Sequence, residues 1–262
     1  MSAMSDHRDR VLDQFTRQAE PFSKAAPIND ETALRLVIEA TGAGPADDVL
    51  DVACGPGIVV CAFARVARHA TGIDITPAMI ERARALASQR RLENVTWIAG
   101  DVEPLPFPDA SFSVVISRLA FHHLERPGAV LSEMRRVCRP DGVVAVVDIT
   151  SPDDPTRAEA MNAMERLRDP SHVRALSCGE IERLFVQAGL PAPRITHYDL
   201  ELELETWLAR SFPAEDDVAE IRRRFVDSLH DDAMGISPRR VAGNIHFRYR
   251  VAVCVTTSKS EG

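Results

Sequence analysis

A chain of 262 residues can fold as one enlarged domain or as a core domain with a smaller lobe, and 45% apolar against 27% charged residues suits a substantial core under an ordinary surface. With 31 Lys and Arg against 39 Asp and Glu, the formal net charge is -8, which disfavours nonspecific binding to nucleic acid or an anionic membrane, since either needs a concentrated basic face. Five cysteines without paired spacing, a polar start and no membrane-length apolar window lead to the expectation of a cytoplasmic protein acting on a small molecule, with neither nucleic acid nor membrane as partner; monomer and homodimer stay equally open.

Residues 8 to 42 read as one or two helices interrupted at "EPFSKAAPIND", with Asn29 or Asp30 placed to cap the second. From about 45 to 150, short apolar runs alternate with helical stretches. Strand "DDVLDVA" precedes helix "IVVCAFARVA", and strand "ATGIDI" precedes helix "PAMIERARALASQR", where Pro77 suits a first helical turn. Strands "NVTWIAG" and "FSVVISR" follow, then helix "PGAVLSEMRRVC" and strand "GVVAVVDIT". This alternation predicts an α/β fold with a doubly wound, Rossmann-like sheet, whose near-continuous apolar strands are buried on both faces. Right-handed crossovers put every strand-to-helix loop at one edge, so functional residues belong at strand C-terminal ends.

Beyond this core, residues 151–176 hold a short helix between two Asp/Pro-rich turns, and helix "SCGEIERLFVQAGL" ends at Gly189. A strand near 194–202, a helical insertion at about 203–242 and a returning strand, "IHFRYRVAVCVTT", suggest an antiparallel edge capped by a lid. The implied organisation is a helical cap (1–45), a core (46–202), a lid insertion (203–243), and a final core strand with a polar tail (244–262).

The stretch "VLDVACGPG" places Asp51 just before a glycine turn. Gly55 and Gly57 allow a tight bend and close approach to a ligand, or simply close packing of helix on strand. Pro56 removes an N–H donor, and the carboxylate repels anions, so the turn is a poor phosphate cradle and suits a cationic or zwitterionic ligand. Two further acids stand at successive strand ends. Asp74 is suited to accept from ribose hydroxyls. Asp101 is suited to accept from an exocyclic amine, with the Val102 N–H facing a ring nitrogen. Three acids with no matching basic residues describe one pocket for a phosphate-free, positively charged nucleoside.

The stretches "VLDVACGPG", "GIDITPAMIERAR", "GDVEPLPFPDASF", "FHHLERP" and "LSEMRRVCRPDG" together resemble the class I S-adenosylmethionine-dependent methyltransferases, in the broad group that includes the ubiquinone/menaquinone C-methyltransferases. The resemblance implies S-adenosylmethionine as cofactor and seven strands with the last inserted antiparallel. It also implies that Asp51, Ala53 and Gly55–Gly57 surround the methionine part, Asp74 the ribose, and Asp101 and Val102 the adenine, with Ile75 and Met79 flanking the adenine ring or serving as plain core. Ala53 replaces a frequent glycine, a change of little cost if φ stays negative, and Ser113 replaces a frequent aspartate without consequence for the chemistry.

On the acceptor side, Arg118 closes an apolar strand and should reach the cleft, where it contacts donor or acceptor, or pairs with Asp148 or Glu133. His122 and His123 are candidates for proton handling and substrate contact, or for structural roles; a metal site is not expected, because a third ligand at sensible spacing is missing. "LRDPSHVRALS" resembles a loop of one subgroup of these enzymes and offers Arg168, Asp169, His172 and Arg174, with Asp169 holding His172 or Arg174, or else capping a turn. Phe15 and Phe22 on the N-terminal helix, and Trp207, Arg210 and Phe212 in the insertion, are candidate acceptor walls. Methyl transfer can proceed largely by alignment in a dry pocket, assisted by a base where the acceptor is an OH or NH. Two other readings are a nicotinamide-dependent oxidoreductase, against which "GPG" has too few glycines, and a donor-binding protein of the same fold without chemistry.

Overall fold

A computed structural model of the chain describes residues 3–258. The polar tail expected at the C-terminus falls, for residues 259–262, outside the described residues.

Helices α1 (Ala3–Ser23) and α2 (Glu31–Thr41) precede the sheet. The break between them comes after Ser23: α1 continues through Pro21, and Asn29 Nδ2 donates to the Ser23 and Ala25 carbonyls at 3.0 and 2.9 Å. Asp30 caps α2, accepting from Ala33 N at 2.9 Å. The alternating core then runs β1 (Asp48–Val52), α3 (Ile58–Phe63), β2 (His69–Asp74), α4 (Pro77–Gln89), β3 (Val95–Ala99), β4 (Phe112–Arg118), α5 (Pro127–Val137) and β5 (Cys138–Ile149). Helix α3 is shorter than its apolar run suggests. Asn94 Nδ2 takes the carbonyls of Ala64, Ala67 and Arg68 at 2.8, 3.2 and 3.3 Å, satisfying the exposed end of the helix early.

After β5 come α6 (Pro155–Arg168), α7 (Cys178–Gln187), β6 (Arg194–Glu203), α8 (Leu204–Ala209), α9 (Glu215–Ser228), β7 (Arg239–Val241) and β8 (Asn244–Thr257). The insertion is therefore helical only in part, since it closes with the short strand β7 paired to the start of β8.

The sheet order is β3-β2-β1-β4-β5-β8-β6, with β7 attached to β8, so eight strands stand where seven were expected and the extra one is β7. β8 runs antiparallel between β5 and β6, while β1 to β5 pair parallel. Alternate residues of each central strand enter opposite core layers: Val49, Val114, Ile116 and Ala145 go to one face, and Leu50, Val52, Val115 and Val144 to the other. Burial on both faces explains the near-continuous apolar strands. Strand order reverses between β1 and β4, where the carboxyl edge of an open α/β sheet presents a crevice. Among the described residues no helix is long and apolar enough to cross a membrane.

Candidate functional site

At that crevice lies a cavity of about 440 Å³, in the usual range for a small-molecule site. Asp51, Asp74, Asp101 and Arg118 line it, as do Ile75, Met79 and Val102. Three strand ends thus bring their acids to one space.

The acids differ sharply in how they are answered. Asp74 accepts from Gly55 N and from Thr76 N, each at 2.8 Å, so its carboxylate is fixed and stitches β2 to the turn after β1. Burial raises its pKa, and these two backbone donors partly offset that. Asp51 is 1% exposed, and neither carboxylate oxygen has a hydrogen-bond partner among the described residues. Burial pushes its carboxyl well above the ordinary range, Arg118 pulls it back, and Asp74 adds to the rise. An unanswered buried carboxylate is costly and calls for a cation.

Arg118 is the complementary orphan. Its Nη1 donates to the Ile28 carbonyl at 3.1 Å and its Nε to Tyr198 Oη at 3.3 Å, while buried Nη2 has no partner among the described residues. It pairs with neither Asp148 nor Glu133, its alternative partners expected from the sequence. Glu133 is held by Arg136 at 2.7 Å and Asp148 by His122. A free carboxylate and a free guanidinium N–H in one cavity fit an amino acid's ammonium and carboxylate. The methionine end of S-adenosylmethionine, the cofactor expected from the sequence, carries both of these groups.

Three details of the turn depart from the sequence reading. Ala53 has φ 58°, not the negative value assumed, so alanine carries left-handed strain of about 1 kcal/mol there. Gly55, at φ 51°, opens to the cavity, and a methyl group in place of its hydrogen would meet nothing within 4 Å. Gly57 does not line the cavity: at φ 79°, an added Cβ would stand 2.4 Å from the Trp97 ring, so its role is close helix packing. The acids are also not free of basic partners, because Arg8 on α1 pairs with Asp101 across the cavity mouth.

A second cavity, about 70 Å³, adjoins the first; Phe15, Phe22, Ile28, Leu119 and His123 line both. Its own walls include His122, Glu165, Arg168, Trp207, Arg210 and Tyr249. Arg168 stacks over Trp207 at 4.7 Å from the ring centre, donates to Glu165 at 2.8 Å and bonds the Ser211 hydroxyl. Tyr249, in β8, donates its hydroxyl to Glu165. Phe212 lines neither cavity and lies 45% exposed beneath Arg17.

The histidines gather at this boundary. His122 Nδ1 lies 2.7 Å from Asp148 Oδ1, and the other Asp148 oxygen accepts from His122 N at 2.9 Å. Burial depresses the His122 pKa, but the charge and hydrogen bond of Asp148 outweigh it and the net shift is upward. Its Nε2 makes no hydrogen bond among the described residues, and the ring lines the second cavity. His123 donates Nδ1–H to the Ser171 carbonyl at 3.1 Å, packs edge-on against Phe15 and is lowered to about 3 by burial and by His122. It is a neutral wall.

His172 lines neither cavity. Its ring stands 5.6 Å from that of His122, centre to centre, and donates Nε2–H to Asn162 Oδ1 at 2.8 Å. Asn162 is itself oriented by Ala175 N at 2.7 Å. Burial, then the two other histidines, lower the His172 pKa, and its Nδ1 is buried without a partner among the described residues. The expectation that Asp169 holds His172 or Arg174 fails. Asp169 accepts from Gln18 at 3.1 Å and Ser171 N at 2.9 Å, while Arg174 pairs with Glu180 at 2.7 Å, away from both cavities. Glu165 and Tyr249 were missed by sequence reading, although Glu165 left a signal: Met161, Met164, Glu165 and Arg168 share one helical face.

A methyltransferase-domain family model matches residues 50–146. The chain is 33% identical over 196 residues to the uncharacterized methyltransferase YcgJ of Bacillus subtilis, covering 75% of this chain and 78% of that protein. The crystal structure of YcgJ superposes with a TM-score of 0.81 at 30% identity, over 88% of this chain and 99% of that one. YafE of Escherichia coli, an uncharacterized protein, is 38% identical over 149 residues, 57% of this chain and 72% of YafE. A demethylmenaquinone methyltransferase of Renibacterium salmoninarum is 34% identical over 118 residues, and this chain spans 48% of its length.

Proposed function

As the chain belongs to the class I S-adenosylmethionine-dependent methyltransferase family, we propose that it transfers a methyl group from S-adenosylmethionine to a small molecule held in the second cavity. The observation that carries this reading is the pair of unanswered groups, Asp51 and Arg118, in a cavity that continues into an aromatic-walled one. When bound, the donor supplies an electrophilic methyl on a sulfonium. Asp51 neutralises the ammonium, Arg118 takes the carboxylate, Asp74 accepts from the ribose and Asp101 from the adenine amine once Arg8 yields it. Phe15, Phe22 and His123 form the apolar collar between the two cavities and exclude water from the path.

His122 is the base. Asp148 fixes the proton on Nδ1 and leaves the Nε2 lone pair to the second cavity, where it takes the proton that the acceptor's OH, NH or CH loses as the new bond to carbon forms. The His172 ring, 5.6 Å from that of His122 and outside both cavities, takes no part in the proton transfer. A flat aromatic ring, suggested by the partial likeness to a demethylmenaquinone methyltransferase, is a shape such a collar admits. We place the protein in the cytoplasm, in small-molecule metabolism. Calorimetric titration tests the reading: S-adenosylmethionine and S-adenosylhomocysteine bind, Asp74→Ala weakens both, and NAD does not bind. Binding of NAD in their place, or unchanged affinity in Asp74→Ala, would overturn it.

A further inference from the structure

Within the second cavity every acid has its partners. Glu165 accepts from Arg168 Nε at 2.8 Å and from the Tyr249 hydroxyl. Asp169 accepts from Gln18 at 3.1 Å and Ser171 N at 2.9 Å, with Arg168 Nη2 at 3.8 Å. The cations are not so balanced. Arg210, at the end of α8, lines the cavity but makes no ion pair or hydrogen bond among the described residues. A second guanidinium, Arg168, lines the same cavity with its plane locked by Trp207 and Ser211, and after burial its charge is what holds the Arg210 pKa down. Both acids of the cavity pair with Arg168 and neither with Arg210, so among the described residues the Arg210 charge has no partner acid.

We propose that the methyl acceptor carries a carboxylate, and that Arg210 and Arg168 hold it at the end of the second cavity away from the donor. The proposal rests on the methyl-transfer reading of the same site. The unpaired guanidinium of Arg210 matches a monoanion. A phosphate dianion would place its second charge against Glu165 and Asp169, both 1% exposed. The guanidinium fork suits the two oxygens of a planar carboxylate. The volume, about 70 Å³, holds a carboxylate and a few carbons. The rest of the acceptor extends past Tyr249 and His122 to the collar formed by Phe15 and Phe22. Arg210 is thus a specificity residue: it selects the acceptor and does not touch the donor.

Calorimetry on the full chain saturated with S-adenosylhomocysteine tests this, using acetate, benzoate and phenylpropanoate, their three amides, and inorganic phosphate. At least one carboxylate binds, its amide binds about tenfold or more weakly, and Arg210→Gln loses the difference while Arg210→Lys keeps most of it. Affinity for S-adenosylhomocysteine stays the same in both variants. The proposal is overturned if no carboxylate is preferred over its amide, if Arg210→Gln binds the carboxylates like the parent, or if phosphate binds best. Failure of the parent to bind S-adenosylhomocysteine at all would instead remove the methyl-transfer reading beneath it.

Discussion

Replacing Asp51 by Asn should strengthen the empty protein and cripple its donor site. Both oxygens of Asp51 lack hydrogen-bond partners among the described residues, and the side chain is 1% exposed. Its pKa is raised well above the ordinary value, chiefly by burial, so the folded chain holds a proton that the unfolded chain has already released. Donor-free stability therefore falls as pH climbs from the unfolded carboxylate value, about 3.9, toward the raised folded value. Asn cannot ionise, so Asp51→Asn should lack this fall. Each pH unit climbed between those two values costs the parent about 1.4 kcal/mol that the variant does not lose, which gives the variant a melting temperature higher by several degrees in a chain of this size. Donor binding moves the other way. Removing one member of a buried charge pair costs about 2–5 kcal/mol, a loss of about 30-fold to several thousandfold in affinity. S-adenosylhomocysteine keeps the ammonium and is not consumed, so its calorimetric Kd, together with denaturation curves of the ligand-free protein across a pH series, reads both effects. An affinity loss below about tenfold, or a variant less stable than its parent at neutral pH, would refute the assignment of Asp51 as the counter-ion of a bound cation.

Asp148→Asn should lower turnover by about 100-fold or more with donor affinity unchanged, as measured by kcat on an identified acceptor beside a donor titration. Because the His122 pKa is raised in the fold, the stability its ion pair with Asp148 contributes is fully present below the unfolded histidine value and is lost as pH rises through the folded one; urea denaturation of Asp148→Asn should show its largest deficit in mild acid and the smallest in alkali. Gly57→Ala drives a methyl to 2.4 Å from Trp97 at a left-handed φ, and should cost about 2–4 kcal/mol in chemical denaturation, whereas Ala53→Gly relieves strain and should cost nothing or raise stability by up to about 1 kcal/mol. Arg8→Ala frees Asp101 for the adenine amine and should tighten donor binding by up to about fivefold, the ceiling expected of an exposed pair; weaker binding would show that Arg8 contacts the donor itself.

The gathering of three acids in one cavity was legible because they sit at strand ends, and the period of a parallel sheet fixes where strand ends go. Asp51, Asp74 and Asp101 came together for that reason alone. Backbone sign at Ala53 was not legible: a left-handed residue is set by the turn's closure, and alanine gives no local signal for it. Gly57 was misassigned because glycine serves ligand approach and ring packing alike, and only Trp97, from a distant strand, decides between them. The acceptor half was harder still. Its contacts join α1, α6, α8 and β8, and partners such as Gln18 with Asp169, or Tyr249 with Glu165, are separated by 151 and 84 positions. Spacing along the chain carries no information about such pairs. The sequence "RDPSH" put Asp169 and His172 close, yet each is committed elsewhere by geometry.

The antiparallel strand β8 has a consequence for how such proteins diversify. Because it returns beside β6, the two ends of the excursion between them are neighbours in the sheet, with Glu203 opposite His246. Whatever lies between these fixed posts can lengthen, shorten or be swapped like a cassette without disturbing β1, β2 or β3, at or just beyond whose ends Asp51, Asp74 and Asp101 stand. Trp207 and Arg210 ride on that excursion. The wall of the second cavity can thus be rewritten through one detour, with the acid-lined cavity left intact.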